Sequence, residues 1–257
     1  MTACAQPLDG RPLAGQVVVV AGASRGIGAA CAQACAAAGA ARLVLLGRAR
    51  EDLDRVAARV RGLGAEADVR ACDLRACAEV RAALDGLELL DTLVNSVGVN
   101  RPQPFLEVDE ETFDLLVDTN LRAAFFVAQA AARRMRELGR GGAIVTIGSQ
   151  MGHVGAELRS VYCATKHAVE GLTKALGVEL APDGIRVLSV APTFVHTEMT
   201  AAQLDDPATG EQLRAQIPLG RFGTPEEVAA AVVFAASPAA SLMTGSSLLL
   251  DGGWTAR

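Results

Sequence analysis

Aromatic side chains are scarce: one tyrosine, one tryptophan and seven phenylalanines among 257 residues. Lysine is almost absent, with Lys166 and Lys174 the two exceptions among 24 basic residues, and histidine occurs three times, at 153, 167 and 196. No apolar run approaches the ~20 residues that span a bilayer, so no membrane partner is expected. Residues 1–15 hold no basic stretch leading into an apolar one, so no secretory leader is expected either. The net charge of −5 lacks the basic footprint of a nucleic-acid binder. Six cysteines make no CxxC pair. Without a leader they are expected to be reduced thiols in a cytoplasm, with Cys31 and Cys35 packed as one helical stripe. The three histidines stand at no ligand spacing, and no metal site is expected.

What is there reads as a large core. Hydrophobic residues make up 51% of the chain and 26 glycines punctuate it, which excludes a disordered or collagen-like chain. Nearly continuous apolar runs at 16–21, 42–47, 66–71, 91–95, 143–148, 185–190 and 246–250 predict strands buried on both faces. Ala-rich stretches predict helices at 27–38, 51–62, 75–85, 111–138, 160–181 and 225–236. This alternation predicts an α/β fold with a doubly wound parallel sheet of about seven strands, as one domain over 1–257. The polar stretch 197–219 breaks the alternation at the carboxyl end of the sheet and is expected to cover a ligand, unless it is an ordinary surface excursion.

The first strand runs into Gly22-Ala23-Ser24-Arg25-Gly26-Ile27-Gly28 and then a helix. Glycine at 22 permits a tight turn, at 26 a close approach to a pyrophosphate, and at 28 close helix–sheet packing, while free N–H groups at the helix start meet phosphate. About 20 residues on, the second strand ends in Gly47-Arg48 with no carboxylate for a ribose hydroxyl. Arg25 and Arg48 suit a 2′-phosphate, which favours NADP over NAD. Asp73, beside Leu74, is placed to accept from an adenine amino group, and Asn95 and Gly98 to let the chain pass close to the adenosine.

Tyr162 and Lys166 are four apart on a predicted helix, hence side by side on one face. A phenol titrates near ~10, and an adjacent ammonium is expected to lower that value toward the range of efficient acid–base work. Ser149 follows the fifth strand and should emerge at the sheet's carboxyl edge, where its hydroxyl can bond a substrate oxygen.

These residues together, with Pro192-Thr193, resemble the short-chain dehydrogenase/reductase family over nearly the whole chain. The resemblance implies a Rossmann-type fold and a catalytic set of Asn120, Ser149, Tyr162 and Lys166. Tyr162 would exchange the proton, Ser149 polarise the carbonyl, Lys166 hold the nicotinamide ribose, and Asn120 position a water. Pro192, Val195 and Thr197 would contact the nicotinamide end. A homotetramer assembled through the two long helices is also implied. The sequence departs from the family where Ser96-Val97 replaces Asn-Ala and where Thr193 replaces glycine; a β-branched residue resists φ > 0, so that loop is expected to differ in shape.

For the small-molecule substrate, Gln150, His153, Phe194 and His196 are the candidate contacts, suited to the hydroxyls of a polyol, sugar or sugar acid. The tail Asp251-Gly252-Gly253-Trp254-Thr255 is similar to that of gluconate- and polyol-active members. A 3-oxoacyl thioester reductase serving an acidic carrier protein is the competing enzyme reading, kept open by Arg133, Arg134 and Arg136. A nucleotide-sensing regulator is a third, disfavoured because all four catalytic groups are present.

Overall fold

The computed structural model describes residues 10–256, so Cys4 and most of the segment read for a leader lie outside the described residues. Seven strands, β1 (Val17–Ala21), β2 (Arg42–Gly47), β3 (Glu66–Ala71), β4 (Thr92–Asn95), β5 (Gly142–Ile147), β6 (Ile185–Pro192) and β7 (Ser246–Leu250), form one parallel sheet. Their order is β3-β2-β1-β4-β5-β6-β7. The chain winds outward from β1 to β3, then returns to place β4 on the other side of β1. That reversal opens a crevice at the carboxyl ends of β1 and β4, where such sheets bind ligands.

Nine α-helices accompany the strands: α1 (Gly26–Ala37), α2 (Arg50–Gly62), α3 (Cys77–Leu84), α4 (Glu110–Val117), α5 (Ala123–Leu138), α6 (Ser160–Glu179), α7 (Ala201–Leu204), α8 (Pro207–Ala215) and α9 (Pro225–Ala236), counted among the described residues. Alternate strand residues feed two cores. Val18, Val20, Leu43 and Leu45 pack with α1, α2 and α9 on one face. Val19, Val44, Leu46 and Ile144 pack with α3 and α5 on the other. Burying each such side chain contributes ~1.5–3 kcal/mol, which is why the central strands carry no polar alternation. Cys31 and Cys35 lie in the first of these cores, and burial pushes the Cys35 thiol up to about 12.

The helix expected at 111–138 is not uniform. It is α4, then one π-helical turn at Asp118–Arg122, then α5. Asn120 lies in that turn, with its amide bonded to the main chain of Val99: Oδ1 accepts from Val99 N at 2.8 Å and Nδ2 donates to Val99 O at 3.0 Å. The stretch 197–219 is not a bare loop; it contains α7 and α8, and Asp206 caps the latter by accepting from Thr209 N at 2.8 Å. Thr193 stays out of the left-handed region, where Leu158 (φ 59) is the sole non-glycine among the described residues. Thr193 follows β6 directly, and its N donates to Leu250 O at 3.0 Å.

Candidate active site

A cleft of about 330 Å³ opens where β1 and β4 diverge, and most of the residues singled out by sequence converge on it. One end is built by the glycine loop. Gly22 takes φ +80, and a Cβ there would lie 2.7 Å from Ser96 O; at Gly28 a Cβ would lie 2.0 Å from Gly22 O. Only hydrogen at these two positions lets β1 turn directly into α1. Arg25, extended at φ −160, precedes α1 without capping it through its side chain, and the first turn carries no acidic residue. The free N–H groups at the α1 start, with Ser24, Gly26 and Ile27, therefore face the cleft with the positive end of the helix dipole.

Arg48, Asp73, Leu74 and Gly98 line the same end. A third cation, Arg75, was missed in the sequence; it grips Asp73 at 2.8 Å and holds that carboxyl down to about 2, through its hydrogen bond first, with burial opposing. Arg25 stands 3.9 Å from Glu198 at the mouth. Three guanidiniums against two carboxylates leave this end net positive. The cradle, the uncapped helix start and this charge fit a dinucleotide.

The other end holds Ser149, Gln150, Tyr162, Lys166, Pro192, Phe194, Val195 and Thr197. Lys166 donates from Nζ to Ile147 O at 2.9 Å, and Nζ sits 5.7 Å from the centroid of the Tyr162 ring. Burial lowers the Lys166 ammonium to about 8, and the buried Glu170 one turn along α6 partly offsets this. The Tyr162 phenol is raised above its usual value, contrary to expectation. Burial is the largest cause. The Ser149 hydroxyl and the Arg159 guanidinium pull the other way.

Four expected contacts are not on the cleft wall, and each has a local reason. Asn95 donates from Nδ2 to Ala124 O at 3.0 Å, beneath the sheet edge, so it braces α5 instead of meeting adenosine. His153 points its Nε2 at Ser247 Oγ, 3.2 Å away, and at Glu170, so it is withdrawn from substrate. His196 pairs with Asp205 at 2.8 Å and ties the β6 exit to the 197–219 segment. Asn120 stands behind Gly98, both its N–H groups spent on Val99 O and Thr165 Oγ1. A point at the missing Cβ of Gly98 is 3.5 Å from Asn120 Oδ1 and 3.7 Å from Lys166 Nζ, a gap suited to one bridging water. Gly98→Ala, whose methyl meets only ordinary contacts, is expected to fold normally and to lower kcat by at least about tenfold by filling that gap. Unchanged kcat would remove the gap from the proton path.

Sequence reasoning also missed Asn100, Gln203 and Arg159, and read Thr193 only as a departure from the family. Asn100, Thr193 and Gln203 line the cleft, and Gln203 comes from the first half of the segment expected to cover it. Buried side-chain polar atoms without a hydrogen-bond partner are Asn95 Oδ1, Asn100 Oδ1, Gln103 Oε1, both amide atoms of Gln150, Arg159 Nε and Thr193 Oγ1 among the described residues. Asn100, Gln150 and Thr193 carry these unmet groups onto the cleft wall. Such atoms cost free energy unless a ligand or water meets them.

A parallel sheet with a dinucleotide cradle at its switch point, and a Ser–Tyr–Lys cluster beside it, defines a nucleotide-dependent oxidoreductase. Comparison with known proteins gives the family. A family model described as Enoyl-(Acyl carrier protein) reductase matches residues 22–255. The chain is 40% identical over 247 residues to a D-threitol dehydrogenase of Mycolicibacterium smegmatis, covering 95% of this chain and 94% of that one. It is 40% identical over 244 residues to an L-xylulose reductase of Bos taurus, covering 95% and 98%. A solved gluconate 5-dehydrogenase of Burkholderia cenocepacia, in complex with NADP and tartrate, superimposes with a TM-score of 0.92 at 36% identity, covering 97% and 99%. The chain belongs to the short-chain dehydrogenase/reductase family and is an oxidoreductase acting on CH–OH groups. No helix among the described residues is long and apolar enough to cross a membrane.

Proposed function

We propose that this protein interconverts a secondary alcohol and a ketone on a small polyhydroxylated carbon chain (a polyol, sugar or sugar acid) using NADP. The carrying observation is the set of unmet polar atoms of Gln150, Asn100 and Thr193 in the same cleft as Ser149 and Tyr162. A chain with a hydroxyl on each carbon offers donors and acceptors at that density, whereas a 3-oxoacyl thioester offers only its two carbonyl acceptors.

When bound, the nicotinamide supplies or accepts the hydride. The protein's residues do the rest. Ser149 Oγ, steadied by the Met151 N–H at 3.1 Å, donates to the substrate oxygen and polarises it. Tyr162, largely protonated at neutral pH because its pKa is raised, gives its proton to the developing alkoxide during carbonyl reduction and takes one back during alcohol oxidation. Lys166, close to its titration midpoint near pH 8, carries the proton onward toward the gap beside Gly98 and Asn120. The 197–219 segment covers the substrate through Met199, Thr200 and Gln203.

The carrier-protein alternative needs a basic docking surface near the cleft. Arg134 and Arg136 are instead at the far end of α5, where the chain enters β5 at the opposite edge of the sheet. Arg134 is spent on Leu87 O and Glu137, and Arg136 on Asp183. The sensor reading is disfavoured by the complete Ser–Tyr–Lys geometry. Reduction of ketoses and oxidation of polyols and aldonates, followed at 340 nm, tests the proposal; turnover confined to acetoacetyl thioesters would replace it.

The cofactor choice rests on Arg25, Arg48 and Arg75 around the adenosine end, supported by the NADP in the Burkholderia relative. A Cβ at Gly47 would touch only the Leu53 side chain, at 3.5 Å, so that position accepts a larger residue. Gly47→Asp with Arg48→Ile is expected to lower the kcat/KM ratio of NADPH over NADH by roughly 100-fold, as one charge-assisted contact is lost and a repulsive one added. A wild-type preference for NADH would reverse the assignment. A homotetramer is supported by exposed apolar side chains on the long helices, Phe125 on α5 and Val178 on α6, with Phe113 on α4. A cytoplasmic location is supported by the five described cysteines, all free thiols.

A further inference from the structure

We infer that Arg159 is the anchor for a substrate carboxylate, which makes the natural substrate an aldonate or keto-aldonate and not a neutral polyol. The inference rests on the proposed reaction and narrows its substrate.

Arg159 immediately precedes α6 and stands three residues before Tyr162, one helical turn away. It is 5% exposed. Buried guanidiniums are ordinarily paired with a carboxylate or fully hydrogen-bonded, because an uncompensated charge is costly away from water. Arg159 has neither. Its one hydrogen bond is from Nη2 to the neutral amide oxygen of Gln203 at 3.2 Å, and its Nε has no partner. No carboxylate lies within ion-pair distance among the described residues. Arg186 shows how the same chain treats such a group when its role is structural. There the guanidinium donates to Ala235 O at 2.8 Å, Ala240 O at 3.1 Å, Ala236 O at 3.2 Å and Ser237 O at 3.3 Å, closing the C-terminal end of α9.

The backbone is bent to put Arg159 where it is. Leu158 adopts φ 59, a left-handed conformation that a branched apolar side chain resists, and its carbonyl accepts from Gln103 N at 2.9 Å. The outcome leaves the leucine half exposed and the arginine buried, the reverse of their solvation preferences. Strain of this kind persists where a particular side chain must be held at a site. Tyr162 and Gln203 both line the cleft, and Arg159 is beside both. Arg159 stands behind the cleft wall, reached from the cleft through Gln203, whose Oε1 is a placeholder: a carboxylate that displaces it takes its bond to Nη2 and adds a second to the buried, unpartnered Nε–H.

The test compares D-gluconate with D-sorbitol in NADP-dependent oxidation by the full-length chain. It also follows gluconate binding through the fluorescence of Trp254, the sole tryptophan, whose ring is 5.7 Å from that of the cleft residue Phe194. The wild type is expected to prefer gluconate. Arg159→Gln is expected to lower the gluconate-to-sorbitol ratio of kcat/KM by at least about 50-fold, chiefly through KM for gluconate. Gln203→Glu, which leaves Arg159 in place but gives it an internal carboxylate, is expected to lower the same ratio and guards against misfolding of the first variant. An unchanged ratio in both variants overturns the anchor and leaves the polyol reading standing. An equal fall on both substrates also overturns it, whether or not the pH profile moves to the alkaline side, and leaves the guanidinium with its effect on the Tyr162 phenolate alone. Gluconate binding that is lost in Arg159→Gln sustains the anchor even if neither compound is oxidised, an outcome that would instead sink the proposed reaction.

Discussion

Tyr162→Phe is expected to lower kcat by roughly 10²–10⁴-fold, the usual contribution of a positioned acid–base group, while NADPH affinity stays within a few-fold. The substitution removes one oxygen and little volume, so α6 and the cleft wall should stand unchanged. What it removes is the one group placed to exchange a proton with the substrate oxygen beside Ser149. The raised pKa makes the sign of the pH dependence definite. Below its pKa the phenol is protonated, which serves carbonyl reduction; alcohol oxidation needs the phenolate, and its rate should climb with pH through the alkaline range. In Tyr162→Phe the residual oxidation should lose that climb. Stopped-flow or steady-state rates at 340 nm across pH 6–10, with NADPH binding by fluorescence, check both parts. Near wild-type turnover would remove Tyr162 from the reaction.

The same residue shows how far the sequence could be read. The four-residue spacing of Tyr162 and Lys166 put them on one face of a helix, and α6 places them so. The spacing could not say where the ammonium points. Lys166 donates to Ile147 O, and the groups that favour phenolate are the Ser149 hydroxyl and then the guanidinium of Arg159, which follows the left-handed Leu158. The central strands were legible because residues buried on both faces leave continuous apolar runs; β3 and β7 fall at the expected residues too, but as sheet edges they are only partly buried, and Glu66, Asp68 and Arg70 interrupt the run in β3. Loop side chains were not. Asn95, His153 and His196 sit at the carboxyl edge of the sheet as expected, yet each turns to a partner on another element: Ala124, Ser247 or, nine residues on in the covering segment, Asp205. The break in the helix after Val117 was hidden for a related reason. A single π turn shifts the apolar periodicity by one residue, too little to distinguish from a uniform helix, and it is held by a contact to Val99 that no local pattern encodes.

Gly28→Ala carries the other large effect, and its sign runs against helix propensity. In an exposed helix the change from glycine to alanine would stabilise by ~1 kcal/mol. Here the new methyl carbon would lie 2.0 Å from Gly22 O, 2.8 Å from Gly22 C and 3.3 Å from the Ala23 Cα, all backbone atoms of the turn that leaves β1. No rotamer relieves a clash with main chain, so α1 must move away from the turn. That movement opens its packing against α9, where Ala29, Ala32 and Ala36 share a core with Val228, Ala229 and Val232. Overpacking of this kind costs ~1–3 kcal/mol. At roughly 2–4 °C per kcal/mol for a chain of this size, Tm should fall by roughly 2–12 °C. The displaced helix start also withdraws its N–H groups from the position a pyrophosphate would take, and NADPH affinity should drop by at least about tenfold. Gly62→Ala, at the end of α2 with nothing within 4 Å of the added methyl, is the control, expected to be neutral or stabilising. Thermal unfolding of the two variants with and without NADPH separates the contributions: the Gly28 variant should lose both intrinsic stability and most of the ligand-induced rise in Tm. If it instead melts at or above the wild type and keeps that rise, the close approach of α1 to the Gly22 turn is not what shapes the nucleotide site.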